Sequence, residues 1–404
     1  MLKKKSIFIS LLILGNALLA QPIPLPVITV GKSQPTINQH LNTISGIQME
    51  KFYRQLQLLQ QGKKQTINIV HIGDSHIQAD ALTSVVRNGL QAFFGNAGRG
   101  IVFPHQLAQS NAAADIQSST ESEWQFNRLA HPEIPIAAGI SGFCIQTELP
   151  FANIQLNLRA QNGESQQFDA IQLFTDSSTV WQIQSQPADS RYSWPAQRDS
   201  NGVVKIDFNA PTDRVTIQAV SGGAIRSFFG FNLMKKQAGI RYHVIGVNGA
   251  TYEHYLNAPK FWQQLPALNA DLYIISLGTN EAQKADFNPE LFLARVTQMV
   301  NQLKAINPNA VILITTPQDS YLGRGSNPIM KQVCFQLTNF CMQQQIPVWD
   351  LYRISNGFGS AYRWAKLGFM SRDRVHFTAA GYQIQGKLLL RAIAQGFNQF
   401  NRAD

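Results

Sequence analysis

The chain has 404 residues, of which 44% are hydrophobic and 14% charged, a composition that provides a substantial core and argues against wholesale disorder. That length is too great for one typical domain and suits two. The formal net charge is +10, but the basic residues are scattered and lack the aromatic-interleaved basic pattern of nucleic-acid-binding modules. We therefore expect no nucleic-acid partner, whereas a polyanion, an acidic glycan or a membrane surface remains compatible with the charge.

Residues 1–20 have the layout of a secretory signal peptide. Three lysines at 3–5 precede an apolar run at 7–14, and small residues follow as far as Ala20. This pattern predicts export and cleavage after Ala20. Leu18 does not fit the rule for small residues before the cut, so an uncleaved anchor is the alternative. No later stretch is apolar enough to cross a bilayer, and we expect no stable membrane span after cleavage.

The chain contains three cysteines, Cys144, Cys334 and Cys341. Cys334 and Cys341 are seven residues apart, which on a helix corresponds to roughly 10 Å and is too far for a disulfide. No cysteine or histidine spacing suggests a zinc site. We interpret all three as buried thiols.

The first part of the chain alternates between helical and extended patterns. Residues 21–36 read as an extended lead-in, and apolar residues at helical spacing predict an amphipathic helix at about 41–60. A buried strand at 66–72 and a helix at about 79–93 follow. From about 103 to 235, short alternating segments between polar turns replace the helical pattern, and they predict an inserted β-sandwich.

After residue 240 the α/β pattern returns. Further strands are predicted at 241–247, 271–277, 310–316 and 346–350, with helices at about 289–305, 327–344 and 379–398. Apolar strands that alternate with helices predict a parallel sheet covered by helices on both faces. We therefore expect an α/β domain in two parts, 21–102 and 236–404, separated by an inserted domain at 103–235.

Residues suited to acyl transfer follow the strand ends, which is where parallel sheets place their sites. Ser75 follows the first strand, Gly249 the second and Asn280 the third, and Asp373 and His376 precede the last helix. Ser75 can be the nucleophile, His376 its base, and Asp373 the residue that orients the imidazole. The N–H groups of Ser75 and Gly249 and the Asn280 amide can form an oxyanion hole. A turn glycine or a helix cap would explain each residue singly, but not their joint placement.

In these residues and their order along the chain, the sequence resembles the SGNH hydrolases, the GDSL-type esterases. The four family blocks correspond to residues 73–76, 246–249, 278–280 and 373–376. The resemblance implies a flavodoxin-like parallel sheet, a serine-esterase mechanism, and no metal or organic cofactor. His76 departs from the leucine of many members, and we regard it as a candidate substrate contact, with a packing role as the alternative.

The flanking residues are similar to the peptidoglycan O-acetylesterase branch of that family, whose members carry a β-rich, carbohydrate-module-like insert between the first and second blocks, where residues 103–235 lie here. This resemblance implies a periplasmic enzyme that removes the 6-O-acetyl group of N-acetylmuramic acid through an acetylated Ser75. Three alternatives remain open. They are an acetyl esterase for another polysaccharide such as xylan or an exopolysaccharide, an O-acetyltransferase with the same triad, and a glycan-binding protein with an idle triad. The sequence does not indicate the oligomeric state.

A basic loop leads to the predicted triad. Between residues 353 and 376 the only acidic residue is Asp373, and the basic ones are Arg353, Arg363, Lys366, Arg372 and Arg374. We predict that Arg363, Lys366 and the aromatic platform of Trp364 contact an anionic glycan. The alternative is a solvated loop whose aromatic residues fold into the core.

Overall fold

The computed structural model describes residues 21–28, 33–132, 134–160, 166–186, 191–192 and 203–403. The predicted signal peptide at 1–20 lies outside the described residues. Within the described ranges, no helix combines the length and apolar character needed to cross a membrane.

A six-stranded sheet forms the centre of the α/β part. Across the sheet its strands are Ile44–Ser45, Val348–Trp349, Val311–Thr315, Leu272–Ser276, Thr66–Gly73 and Gly239–Gly246. All neighbours pair in parallel except the short Ile44–Ser45, which is antiparallel to Val348–Trp349. Numbered along the chain, the parallel strands have the flavodoxin-like order 2-1-3-4-5. The predicted fold class is confirmed.

Helices cover both faces of this sheet because alternate side chains of its buried strands point in opposite directions. Ile67 and Ile69 pack in one apolar cluster, with the helices Met49–Gln60, Thr83–Phe94 and Ala379–Ala403. Val70 and Ile72 pack in the other, with Pro289–Ile306 and Pro328–Gln343. The shorter α-helices are Ser75–Gln78, Tyr252–Leu256, Pro259–Gln264, Thr279–Ala282, Leu351–Ile354 and Ser360–Lys366, and the 3₁₀ turns are Gln39–Leu41, His105–Ala108 and Leu265–Leu268.

Two antiparallel sheets are built from the chain between the first and second parallel strands. In spatial order, one contains Arg191–Tyr192, Val180–Gln186, Arg214–Ser221, Asn153–Leu158 and Ile116–Ser119. The other contains Val204–Thr212, Phe168–Thr175, Arg226–Met234, Phe143–Thr147 and Gln125–Arg128, with Gly100–Val102 also paired to Arg226–Met234. The two sheets share one apolar cluster, which includes Ile154 from the first and Leu173 from the second. A separate two-stranded hairpin joins Tyr321–Leu322 to Gly325–Ser326.

Two predicted helices begin later than their apolar periodicity suggested. The first begins at Met49 rather than 41, because Gly46 turns the chain at a φ of 113° after a short strand at the sheet edge. The second begins at Thr83 rather than 79, because Asp80 takes a φ of 61°. The carboxylate of Asp80 is buried between the guanidinium groups of Arg87 and Arg99, at 2.8 and 2.7 Å. This ion cluster fixes the break in the helix.

All three cysteines are buried and free, as the sequence predicts. Burial raises the pKa of each thiol.

Candidate active site

Ser75 begins a short helix directly after the central strand Thr66–Gly73. The close approach of the neighbouring strand demands glycine before it, since a Cβ on Gly73 would lie 2.7 Å from the Ser276 carbonyl oxygen. Asp74 is 1% exposed and caps the helix by accepting a hydrogen bond from the His76 N–H at 3.0 Å. Burial raises the pKa of Asp74 to about 7. This tight turn holds the Ser75 hydroxyl at the carboxyl end of the sheet.

A continuous chain of hydrogen bonds joins the three residues predicted as the triad. The Ser75 Oγ lies 2.8 Å from the His376 Nε2, and the His376 Nδ1 lies 2.7 Å from the Asp373 Oδ2. The second Asp373 oxygen, Oδ1, accepts from the backbone N–H groups of Val375 and His376, each at 2.9 Å. Burial opposes ionisation of Asp373, but these hydrogen bonds outweigh it and hold its pKa below the ordinary value. The arrangement can move a proton from Ser75 to His376.

The loop that carries Asp373 and His376 is fixed on both sides. Arg374 adopts a φ of 55°, and its N–H donates to the Ser371 carbonyl at 3.0 Å. Its own carbonyl accepts from the Tyr321 N–H at 2.9 Å, and its guanidinium lies 4.8 Å from the centre of the Tyr321 ring. The hairpin that begins at Tyr321 therefore holds the loop in place, and Arg374 has a structural partner.

The residues predicted as an oxyanion hole are brought together beside Ser75. The Asn280 Nδ2 donates to the Ala250 carbonyl at 2.8 Å and lies 3.5 Å from the Asp74 Oδ2. These contacts place the amide between the turn that contains Gly249 and the turn that precedes Ser75. Gly249 has a φ of 80°, a left-handed conformation that favours glycine. N–H donors and a side-chain amide in this position can stabilise negative charge on a tetrahedral intermediate.

His76 is half-buried and packs against the triad residue His376. Its imidazole stacks on that of His376 with ring centres 5.3 Å apart, and its Nδ1 lies 3.0 Å from the Tyr382 hydroxyl. Its Nε2 is buried without a protein partner, and burial lowers its pKa to about 3. These contacts give His76 a packing role beside His376, and its predicted contact with substrate stays a prediction.

The basic loop is divided between surface and core. Trp364 is 1% exposed, and its ring packs on Phe369 and Phe377 with centres 6.0 and 5.5 Å apart. The prediction that it contacts substrate is wrong, because the tryptophan lies on the inward face of the helix Ser360–Lys366. Arg363 and Lys366 lie on the same helix and are exposed. Their predicted contact with an anionic glycan stays a prediction.

Two residues near the site were not singled out from the sequence. Gln78 is buried and hydrogen-bonds the backbone of Asn248, next to Gly249. His131 is exposed and lies against Gly249, where an added Cβ would come within 2.9 Å of the imidazole. His131 belongs to the segment between Gln125–Arg128 and Phe143–Thr147, so the inserted sheets reach the edge of the site. No local sequence pattern marks either contact.

Glu281 follows Asn280 and is 6% exposed, and its contacts give it a structural role. One carboxylate oxygen accepts from the Tyr252 N–H at 2.8 Å, and the other is buried without a protein partner. Burial raises the pKa of Glu281 to about 7. In the described part of the chain, no three side chains of His, Cys, Asp or Glu are grouped so as to hold a metal ion.

Comparison with known proteins gives a family similarity over part of the chain and a similar fold over most of it. The GDSL-like lipase/acylhydrolase family matches residues 216–384, a stretch that includes Gly249, Asn280, Asp373 and His376. A solved peptidoglycan O-acetylesterase superposes with a TM-score of 0.73 over 89% of this chain and 99% of its own, at 22% identity.

Two further solved structures have a low similarity to the chain. A lipase/acylhydrolase from Enterococcus faecalis has a TM-score of 0.32 at 20% identity and covers 39% of this chain and 77% of its own. An acetyl xylan esterase has a TM-score of 0.32 at 15% identity, covering 37% of this chain and 79% of its own. Comparison with curated proteins gives no significant match. Residues 216–384 of the chain are thus similar to the GDSL-like lipase/acylhydrolase family, and the chain as a whole has the SGNH hydrolase fold.

Proposed function

We propose that Ser75, His376 and Asp373 form the catalytic triad of an acetylesterase. The observation that carries this proposal is the unbroken hydrogen-bond chain from the Ser75 Oγ through both ring nitrogens of His376 to Asp373, with contacts of 2.8 and 2.7 Å. A nucleophile, a base and a carboxylate that orients the base are the components that acyl transfer needs.

In the first half-reaction the Ser75 Oγ attacks the acetyl carbonyl carbon while the His376 Nε2 takes the hydroxyl proton. The tetrahedral intermediate collapses, the C–O bond to the sugar breaks, and His376 returns the proton to the departing sugar oxygen. In the second half-reaction water attacks the acetylated Ser75 with His376 again as base. Acetate leaves, and Ser75 regains its proton.

The same proposal assigns the oxyanion to the N–H groups of Ser75 and Gly249 and to the Asn280 amide. The Asn280 Nδ2 donates to the Ala250 carbonyl at 2.8 Å and, over a longer 3.5 Å, to the Asp74 Oδ2. The hydrogen of this longer contact is the one that would turn to the oxyanion. Because the donors sit on the turns that follow three neighbouring strands, little reorganisation is needed when charge develops.

For the substrate we infer O-acetylated peptidoglycan, cleaved at the 6-O-acetyl group of N-acetylmuramic acid. The similarity to a peptidoglycan O-acetylesterase supports this choice, because it extends over 89% of this chain and thus includes residues outside the parallel sheet. The net charge of +10 and the exposed Arg363 and Lys366 suit a glycan that carries carboxylates. The signal-like residues 1–20 would deliver the enzyme to the periplasm, where such a substrate lies.

The test is acetate release from O-acetylated peptidoglycan by wild-type protein lacking residues 1–20, beside a Ser75→Ala control. We expect release by the wild type and none by the variant. Ser75-dependent cleavage of acetylated xylan or of a small acetyl ester, without release from peptidoglycan, would keep the esterase and reject this substrate. Acetyl transfer to a sugar acceptor would favour the transferase. Glycan binding without turnover would favour an idle triad.

A further inference from the structure

Gln78 lies at the end of the short helix that Ser75 begins, and its side chain joins three separate segments. It is 4% exposed. Its Oε1 accepts from the Asn248 N–H at 2.7 Å, while its Nε2 donates to the Ser110 hydroxyl at 2.8 Å and to the Asn111 carbonyl at 3.0 Å. One amide therefore connects the Ser75 helix, the turn that carries Gly249, and the segment leading into the antiparallel sheets.

Besides Gln78, the turn is held by the Asn280 amide, which donates to the Ala250 carbonyl at 2.8 Å, and by backbone hydrogen bonds on either side of Gly249. The Val247 N–H donates to the Gly73 carbonyl at 3.3 Å, and the Ala250 N–H donates back to the Val247 carbonyl at 3.0 Å. Gly249 lies between them with a φ of 80°, and glycine has more backbone freedom than any other residue. The hydrogen bond from Asn248 to Gln78 fixes the peptide group directly before the one that supplies the Gly249 N–H.

We propose that Gln78 is a positioning residue that sets the direction of the Gly249 N–H toward the oxyanion. The backbones are in direct contact here, since a Cβ on Gly246 would lie 2.6 Å from the Gln78 nitrogen. Gln78 thus ties the nucleophile's helix to the turn of the oxyanion donor, and it couples both to Ser110 and Asn111. The inference rests on the proposed roles of Ser75 and Gly249.

The experiment compares wild type, Gln78→Met and Ser110→Ala with p-nitrophenyl acetate as substrate and methylboronic acid as an analogue of the tetrahedral intermediate. Methionine keeps the volume of glutamine and removes its hydrogen bonds. We expect Gln78→Met to lower kcat roughly 10- to 100-fold, somewhat less than deletion of an oxyanion donor, with KM little changed. Boronate affinity should fall in parallel. Ser110→Ala leaves Gln78 its bonds to Asn111 and Asn248, and should stay close to wild type.

A core amide that only stabilises the fold would give a different result. Unchanged kcat in Gln78→Met, or a loss confined to KM with boronate affinity intact, would overturn the inference. If Gln78→Met does not fold, Gln78→Glu replaces it. An ionised carboxylate beside the turn opposes the oxyanion, so the kcat of this variant relative to wild type should fall as pH rises, and a ratio independent of pH would overturn the inference.

Ser75→Ala separates the two claims. If Ser75→Ala retains wild-type activity on p-nitrophenyl acetate, the proposed function fails. If Ser75→Ala is inactive and Gln78→Met equals wild type, the proposed function stands and only the inference about Gln78 fails.

Discussion

Replacing Asp373 by asparagine should harm catalysis more than replacing it by alanine, although asparagine is closer in shape. The reason lies in the two backbone N–H groups, of Val375 and His376, that donate to the Asp373 Oδ1. In Asp373→Asn the carbonyl oxygen will take that position, because only it can accept. The amide nitrogen then faces the His376 Nδ1, where the carboxylate Oδ2 now lies at 2.7 Å.

An amide nitrogen donates, so it will select the imidazole tautomer whose proton is on Nε2. Nε2 is the atom that must take the proton of Ser75, at 2.8 Å, and a protonated Nε2 cannot do so. Asp373→Ala removes the partner without imposing this tautomer. Its cost is one charge-assisted hydrogen bond, about 1.5–3 kcal/mol, and since the Asp373 side chain is 50% exposed the lower part of that range applies.

We therefore expect Asp373→Ala to lose roughly 10- to 100-fold in kcat, and Asp373→Asn to lose about 10³- to 10⁴-fold, as the wrong tautomer does in other serine hydrolases. The assay is steady-state hydrolysis of p-nitrophenyl acetate, with Tm measured for both variants to show that they fold. If Asp373→Asn is as active as Asp373→Ala, or more active, the tautomer of His376 does not limit catalysis in the way proposed.

Four further predictions test other parts of the account. Glu281→Gln should be more stable than wild type, by an amount that grows as pH rises from 4.5 to about 7. The reason is that the pKa of Glu281 is raised in the folded protein, so ionisation of the carboxyl destabilises the folded state. Tm measured against pH for both proteins checks this, and a difference in Tm that does not change with pH would contradict it. Charge reversal at Arg363 and Lys366 should raise KM for O-acetylated peptidoglycan and leave the hydrolysis of p-nitrophenyl acetate unchanged. Equal losses of activity on both substrates would reject a contact between these residues and the glycan. Trp364→Ala should lower the free energy of unfolding, measured by chemical denaturation, by about 3–5 kcal/mol, as for other core aromatic residues. A change in KM without a loss of stability would instead support a contact between Trp364 and substrate. His131→Ala should raise KM on the glycan only, because the imidazole lies against Gly249 at the edge of the site; unchanged KM on the glycan would exclude a contact.

The site could be predicted largely because strand ends in a parallel sheet meet at one edge. Ser75 and Asn280 each follow a run of buried apolar residues, and such runs are legible in sequence. Once the strands are found, the position of their carboxyl ends follows from the sheet rule rather than from any long-range contact.

The rest depended on contacts between distant residues. The Gln78 amide bonds to Asn248, 170 residues away, and no local pattern announces such a pair. Trp364 lies on a helix of seven residues, too short for periodicity to show which face is buried. The break before Thr83 arises from the buried pairing of Asp80 with Arg99, 19 residues away. The periodicity of the apolar residues alone predicts a helix that already begins at about residue 79.

Covalent labelling shows directly whether Ser75 is the nucleophile of an acyl-enzyme mechanism. The wild-type protein is treated with a fluorophosphonate, digested, and analysed by mass spectrometry to locate the modified residue. We expect one modified peptide, with the label on Ser75, and a much slower reaction in His376→Ala, because the His376 Nε2, 2.8 Å from the Ser75 Oγ, activates the hydroxyl. A label on another serine, or labelling of Ser75 at the same rate without His376, would contradict this mechanism.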